Sequence, residues 1–223
     1  MCRINKLYSF QKLIRKKLDI KKGFTFVLLL VLFDQLIKFY IKLNFQLTLY
    51  GQPPIIDLGF FKLLFIENEG MAMGARLNNI LPFLDDYSAK LTLTIFRLVA
   101  VVGIGYWLIS TLRKKKSSLL KFTLCLIFAG ALGNIIDSVF YGQWFSSSYG
   151  QVATFLPETG YAPLFFGNVV DMLQFPIATW VWPQWLPFIG GESFTFFEYV
   201  FNFADAYIST GVLILIFFNK KLN

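Results

Sequence analysis

Four apolar stretches of membrane-spanning length punctuate the chain, at about 24–43, 91–112, 119–141 and 196–218. Each approaches or exceeds the roughly 20 residues a helix needs to cross a hydrocarbon core of about 30 Å. The loop between the first two, about 44–90, carries GFFKLLFIENEGMAMG, where Phe60–Ile66 suits a short strand and the Gly-rich end suits a turn. NNILPFLDDY, from Asn78, reads as a short amphipathic helix lying at the interface. The other long loop, about 142–195, is rich in Gly, Ser, Pro and aromatics, and its Trp180, Trp182 and Trp185 are expected at headgroup depth. No internal repeat breaks the pattern. The simplest organisation is a single membrane-embedded domain over residues 1–223, with residues 1–23 as a basic tail.

Charge orients the spans. Arg3, Lys6, Lys12, Arg15, Lys16, Lys17, Lys21 and Lys22 precede the first. Arg113 to Lys116 and Lys121 lie between the second and third, and Lys220 and Lys221 follow the fourth. These segments hold fifteen of the 21 basic residues, with Asp19 as their only acid. By the positive-inside rule both termini and the short middle loop are cytoplasmic. The expected fold is therefore an all-α membrane protein, a four-transmembrane-helix bundle with both termini cytoplasmic. The net charge of +8 reflects topology and contact with anionic membrane lipids, so no nucleic acid partner is needed. The first span is too long for a cleaved signal sequence, lacks a small-residue cleavage site and contains Asp34 and Lys38, so it is expected to remain.

Composition narrows the chemistry. The chain is 56% hydrophobic and 15% charged, outside the range of soluble domains. It has no histidine, which excludes Ser-His-Asp, Cys-His and HExxH mechanisms. Its two cysteines, Cys2 and Cys125, support neither a disulfide framework nor a metal site, so no metal and no cofactor are expected. What remains is carboxylates, lysine, hydroxyls and the backbone.

The intramembrane polar residues form a layer. At 1.5 Å per residue, Asp205 stands about 22 Å from Lys220, Asp137 about 24 Å from Lys121, and Asp34 and Lys38 about 18 and 24 Å from Lys22. All four then lie near the outer edge of the hydrocarbon core. Asp34 and Lys38 are spaced to pair across one turn. Gly130, Asn134 and Asp137 line one stripe, Gly133 allows close helix approach, and Asn202, Asp205 and Ser209 share a face. Asp171, ending an extended apolar run, is placed to drop back onto the outer mouth of the bundle. Such polar residues either join helices by hydrogen bonds or build a site. Two adjacent carboxylates in a dry site cannot both ionise and can act as acid and base on water. A small transporter would also use membrane carboxylates, although four spans with a site near one surface offer little for alternating access. A serine–lysine pair of Lys38 with Ser209 or Thr210 draws on different spans, and nothing marks either hydroxyl as a nucleophile.

Five blocks carry a family resemblance: DQLIK (Asp34–Lys38), ENEGMAMG (Glu67–Gly74), GALGNIID (Gly130–Asp137), NVVDML (Asn168–Leu173) and FNFADAYI (Phe201–Ile208). In this order they resemble the lipoprotein signal peptidases, the type II signal peptidases of the bacterial inner membrane. The resemblance implies a membrane aspartyl protease that cuts a prolipoprotein just before a diacylglyceryl-modified cysteine, with its active site facing the periplasm. It places the catalytic pair on Asp171 and Asp205 and the substrate pocket on Asn68, Gly70, Asn134 and Asn202. Asp34, Lys38, Gly130, Gly133, Asp137, Val169, Phe201 and Ala204 take supporting positions. The first outer loop corresponds to the family's small periplasmic β-cradle and interfacial helix, and a monomer is expected. The alternative is a non-catalytic transporter or lipoprotein-binding protein using the same pocket. This chain departs from the family at Ser138, where an arginine is usual, with Arg76 or Arg97 as candidates to compensate. It is also longer at Ser138–Gly167 and between Leu173 and Phe194.

Overall fold

The computed structural model describes residues 2–49, 52–69, 77, 81–218 and 220, with side chains from residue 20 onward. It is mostly helical, with small antiparallel sheets. In chain order the elements are α1 (Cys2–Asn44), β1 (Ile56–Asp57), β2 (Lys62–Asn68), α2 (Asp86–Arg113), α3 (Ser118–Trp144), β3 (Val169–Gln174), β4 (Ala178–Val181), β5 (Ser193–Phe196), β6 (Val200–Phe201) and α4 (Phe203–Phe217). Among the described residues three helices are long and apolar enough to cross a membrane: Ile20–Asn44 within α1, α2 and α3. α4 is a shorter apolar helix.

The fourth apolar run departs from expectation. It was expected to be helical from 196, yet Phe196 ends β5, Val200–Phe201 is β6, and the helix starts at Phe203. A continuous apolar run has no period that separates a buried strand from a helix, and here partner strands are at hand, β4 for β5 and β3 for β6. Asn202 therefore precedes α4 and does not share a helical face with Asp205. The strand expected at Phe60–Ile66 forms two residues later, as β2. Of the expected interfacial helix, residues 78–80 lie outside the described residues, 82–84 are turn or bend, and 86–87 begin α2.

α2 has a clear start signal. Asp85 accepts hydrogen bonds from the backbone N–H groups of Tyr87 (3.2 Å) and Ser88 (3.3 Å), an N-cap that satisfies two orphan donors. Hydrogen bonds from the Ser88 side chain and backbone hold the Asp85 carboxyl below its ordinary range.

The chain packs as two compact units. The first comprises residues 1–37, 94–136 and 203–223, the second residues 38–93 and 137–202. In the first, Val27, Val31, Leu108, Leu112, Leu124 and Ala129 form the centre of an apolar core. Leu28, Leu29, Leu32 and Leu36 of α1 and Phe96, Val99 and Val102 of α2 are exposed, so the helices are apolar outside as well as inside. That distribution suits a lipid environment. Glycines let the helices close: a Cβ at Gly130 would lie 2.2 Å from the carbonyl oxygen of Ala204, and one at Gly211 would lie 2.4 Å from Ile127 Cγ1. The first is backbone against backbone and has nowhere to yield.

In the second unit the strands β1-β2-β3-β6 form an antiparallel sheet and β4-β5 a separate hairpin. β3 is buried along five of its six residues, as a central strand should be. Phe39 sits among Tyr141, Phe145 and Phe155, with ring centroids 4.9–5.6 Å apart. The inserted 145–167 segment folds back on the end of α3, where Leu156 and Ala162 donate backbone N–H groups to the carbonyls of Trp144 (2.8 Å) and Gly142 (3.0 Å). Those are among the carbonyls a helix end leaves without partners.

Gly130→Ala is expected to cost about 1–3 kcal/mol by overpacking against the Ala204 carbonyl. Gly103→Ala, in open space on α2, is expected to leave stability unchanged or slightly raised. Thermal unfolding of both variants in one detergent checks the contrast.

Candidate active site

In the first unit, two carboxylates organise the start of α4. Asp34, buried on α1, accepts the backbone N–H of Ala204 at 3.0 Å. Ala204 lies in the first turn of α4, where N–H groups have no partner within the helix and the dipole favours an anion. An acid on one helix thus caps another. Gly133 makes room for it, since a Cβ there would lie 2.8 Å from Asp34 Oδ2. Gln35 Nε2 donates to the Gly133 carbonyl at 3.2 Å and to Asp34 Oδ2 at 3.3 Å. One residue past Ala204, in the same first turn, half-buried Asp205 accepts a hydrogen bond from Asn134 Nδ2 at 2.7 Å. Ser209 and Thr210 are exposed on α4.

In the second unit, Asp171 sits in the middle of β3 and is buried. Its two oxygens accept from two carboxamides: Oδ1 from Asn202 at 2.7 Å and Oδ2 from Asn68 at 3.1 Å. The sheet register brings them there. β2 pairs with β3 so that Ile66 faces Asp171 and Asn68 faces Val169, after an irregularity between Leu63 and Ile66. β6 pairs Phe201 with Leu173, which delivers Asn202 at the strand's end. Val169 and Phe201, expected in support, are the register partners that align the two asparagines.

Lys38 and Asp137 form an ion pair at 2.8 Å, with both side chains fully buried. Asp137 also accepts the backbone N–H of Val170 at 3.3 Å, next to Asp171. A buried ion pair seldom stabilises in net terms, but losing one partner is costly. Asp137 fixes the strand that carries Asp171.

Sequence reasoning missed one cluster. Lys42, fully buried near the end of α1, is paired with Glu67 and donates to Ser148 Oγ at 2.9 Å. Its ammonium lies 4.9, 5.2 and 5.6 Å from the ring centroids of Tyr161, Phe145 and Phe65, within cation–π range. Glu67 also accepts from Asn168 Nδ2 at 3.2 Å, and Lys90 donates to Asn168 Oδ1. Burial, reinforced by the charge of Glu67, pushes the Tyr161 phenol above its usual range. It stays protonated while its oxygen accepts the Asn168 N–H at 2.7 Å. The signal was available, since Asp34, Lys38 and Lys42 recur every four residues and so share one helical face. Glu67 adjoins Asn68 and Asn168 adjoins Val169, the register partner of Asn68, so this network holds the ends of β2 and β3 together.

Gly70 and Arg76 lie outside the described residues, and Arg97 is half-buried on α2. Ser138 is 1% exposed, and its carbonyl accepts the N–H of Gly167 at 2.9 Å. A Cβ on Gly167 would lie 2.1 Å from the carbonyl oxygen of Asp137, so the inserted segment crosses α3 in close contact there.

Glu67→Ala leaves a buried lysine without its counter-ion and is expected to cost about 3–5 kcal/mol. Lys42→Met combined with Glu67→Leu is expected to recover most of that loss. Chemical denaturation of the single and double variants measures both.

Comparison with known proteins identifies the lineage. The family model for signal peptidase (SPase) II matches residues 26–219. A lipoprotein signal peptidase of Porphyromonas gingivalis is 44% identical over 193 residues, covering 85% of this chain and 79% of that protein. One from Amoebophilus asiaticus is 32% identical, covering 87% and 76% respectively. A solved structure described as a bacterial membrane enzyme shares the fold, with a TM-score of 0.55 and 23% identity over 90% of this chain and 89% of that one. The buried carboxylates and their carboxamide partners are thus set in a known peptidase scaffold, and the chain belongs to the signal peptidase II family.

Proposed function

We propose that this signal peptidase hydrolyses diacylglyceryl-modified prolipoproteins on the N-terminal side of the lipidated cysteine, with Asp171 and Asp205 as a water-activating pair. One observation carries the assignment. Both aspartates are oriented by neutral carboxamides, Asp171 by Asn68 and Asn202 and Asp205 by Asn134. These amide donors fix the orientation of both carboxyl groups, as an acid and a base acting on one water require.

The ionised carboxylate takes a proton from water as the water oxygen attacks the scissile carbonyl carbon. The protonated carboxyl hydrogen-bonds the carbonyl oxygen, where negative charge develops. Collapse of the tetrahedral intermediate breaks the C–N bond, and the departing cysteine nitrogen receives a proton. The products are a signal peptide with a free carboxylate and a lipoprotein with a free N-terminal lipidated cysteine. As a coupled pair, the two aspartates share their titration.

Residues 1–223 work as one monomeric, membrane-embedded peptidase of four spans, α4 being the last, in the bacterial inner membrane. Both termini are cytoplasmic and the active site faces the periplasm, as the basic segments at 3–22, 113–121 and 220–221 support. The sheet serves as the periplasmic β-cradle.

Purified Asp171→Asn and Asp205→Asn are each expected to bind a lipidated prolipoprotein yet cleave it at least about 100-fold more slowly than the parent. The unlipidated prolipoprotein is expected to resist all three proteins. Full activity in either variant removes that residue from the pair. Cleavage is read by mass shift on gels and binding by photo-crosslinking.

A further inference from the structure

The β4–β5 hairpin belongs to the longer connection after Leu173, and the chemistry above does not use it. It is a two-faced ribbon. Register pairs Ala178 with Phe196 and Trp180 with Phe194 on one face, and Thr179 with Thr195 and Val181 with Ser193 on the other. On the first face Trp180, Trp182 and Phe194 stack at 4.9–5.9 Å between centroids. On the second, the hydroxyls of Thr179 and Thr195 meet at 3.1 Å. Side chains alternate across a strand, so one face is aromatic and the other hydroxylated.

The aromatic face is uncovered. Trp180, Phe194 and Phe196 are exposed, Trp185 near the tip is 78% exposed and Phe188 is 100% exposed. Phe188 also has φ of 71°, a conformation that a bulky L-residue seldom adopts. An apolar surface this continuous marks an interaction site.

We propose that this hairpin lies in the headgroup boundary of the lipid bilayer, aromatic face toward the acyl chains and threonine face toward water. Charge and continuity select lipid as the occupant. Between Phe175 and Tyr199 the charged residues are Glu192 and Glu198, with no lysine or arginine, so the face suits an uncharged apolar phase. Tryptophan and phenylalanine with flanking hydroxyls match the boundary region of a membrane. A run of rings links the hairpin's root to β6: Phe196 to Phe197 (5.9 Å), Phe197 to Phe201 (6.3 Å) and Phe201 to Phe175 (5.9 Å). One residue after β6 the chain enters α4, whose Val212, Leu213, Ile216 and Phe217 are exposed apolar side chains. Gln174, at the end of β3, donates to the Glu198 carbonyl at 2.5 Å, so the hairpin's return segment is also fastened to the strand bearing Asp171.

The test uses the full-length protein with Cys2→Ser and Cys125→Ala, carrying single cysteines in place of Phe188, Phe194 or Thr179. Each is labelled with an environment-sensitive fluorophore and reconstituted in neutral phosphatidylcholine vesicles. Labels at 188 and 194 are expected to be quenched several-fold more strongly by doxyl-labelled lipid than by aqueous iodide, and the label at 179 to show the reverse preference. Iodide quenching at 188 and 194 equal to that at 179 overturns the proposal. Shielding from both quenchers, as self-association or a protein partner would give, overturns it equally. Trp185→Glu with Phe188→Glu, both at exposed positions, is expected to fold and still cleave substrate in detergent while losing lipid quenching at 194. Undiminished lipid quenching at 194 in that variant also counts against the proposal.

Discussion

The buried ion pair between Lys38 and Asp137 constrains how the second unit folds. Two charges removed from water are tolerable only with tight pairing and further hydrogen bonds, since the desolvation cost is several kcal/mol per ion. Asp137 meets that condition by also accepting the N–H of Val170. That bond reaches β3 one residue before Asp171, so neutralising a membrane lysine also locates a candidate catalytic strand. The Lys42–Glu67 pair repeats the arrangement one turn further along α1, with aromatic rings around the ammonium and Asn168 on the far side of the carboxylate.

In the first unit a buried acid is met by a helix end. The orphan N–H of Ala204, at the start of α4, is met by Asp34 from α1, and Gly130 and Gly133 on α3 leave the space that makes the approach possible. Capping by a carboxylate on another helix uses one interaction for two purposes, satisfying a helix end and burying an acid. Asp205, in the same first turn, inherits a fixed backbone, and Asn134 orients its side chain.

Much of this was legible in the residues because membrane chemistry leaves few choices. The three long helices follow from run length, and the polar stripe of Gly130, Asn134 and Asp137 from helical spacing. The family blocks named Asn68, Asn202 and Asn134, each of which donates to one of the two aspartates. What the sequence hid is pairing that periodicity does not encode. Nothing local says that Phe194–Phe201 prefers a hairpin strand and β6 to helix, because an aromatic run suits both until a partner strand is known. The register that sets Asn68 opposite Val169 depends on an irregularity between Leu63 and Ile66. Lys42 carries the same four-residue spacing from Lys38 and so shares its face, but that spacing names no partner for it. Its acid lies 25 positions away in another element.

The central claim is that water, activated by Asp171 and Asp205, attacks the scissile carbonyl directly. Single-turnover cleavage of a diacylglyceryl-modified prolipoprotein in oxygen-18 water containing hydroxylamine tests it most directly, with the released signal peptide read by mass spectrometry. The account predicts one heavy oxygen in the peptide's new carboxylate and no hydroxamate. A peptide hydroxamate formed in proportion to hydroxylamine would reveal a covalent acyl-enzyme and contradict it.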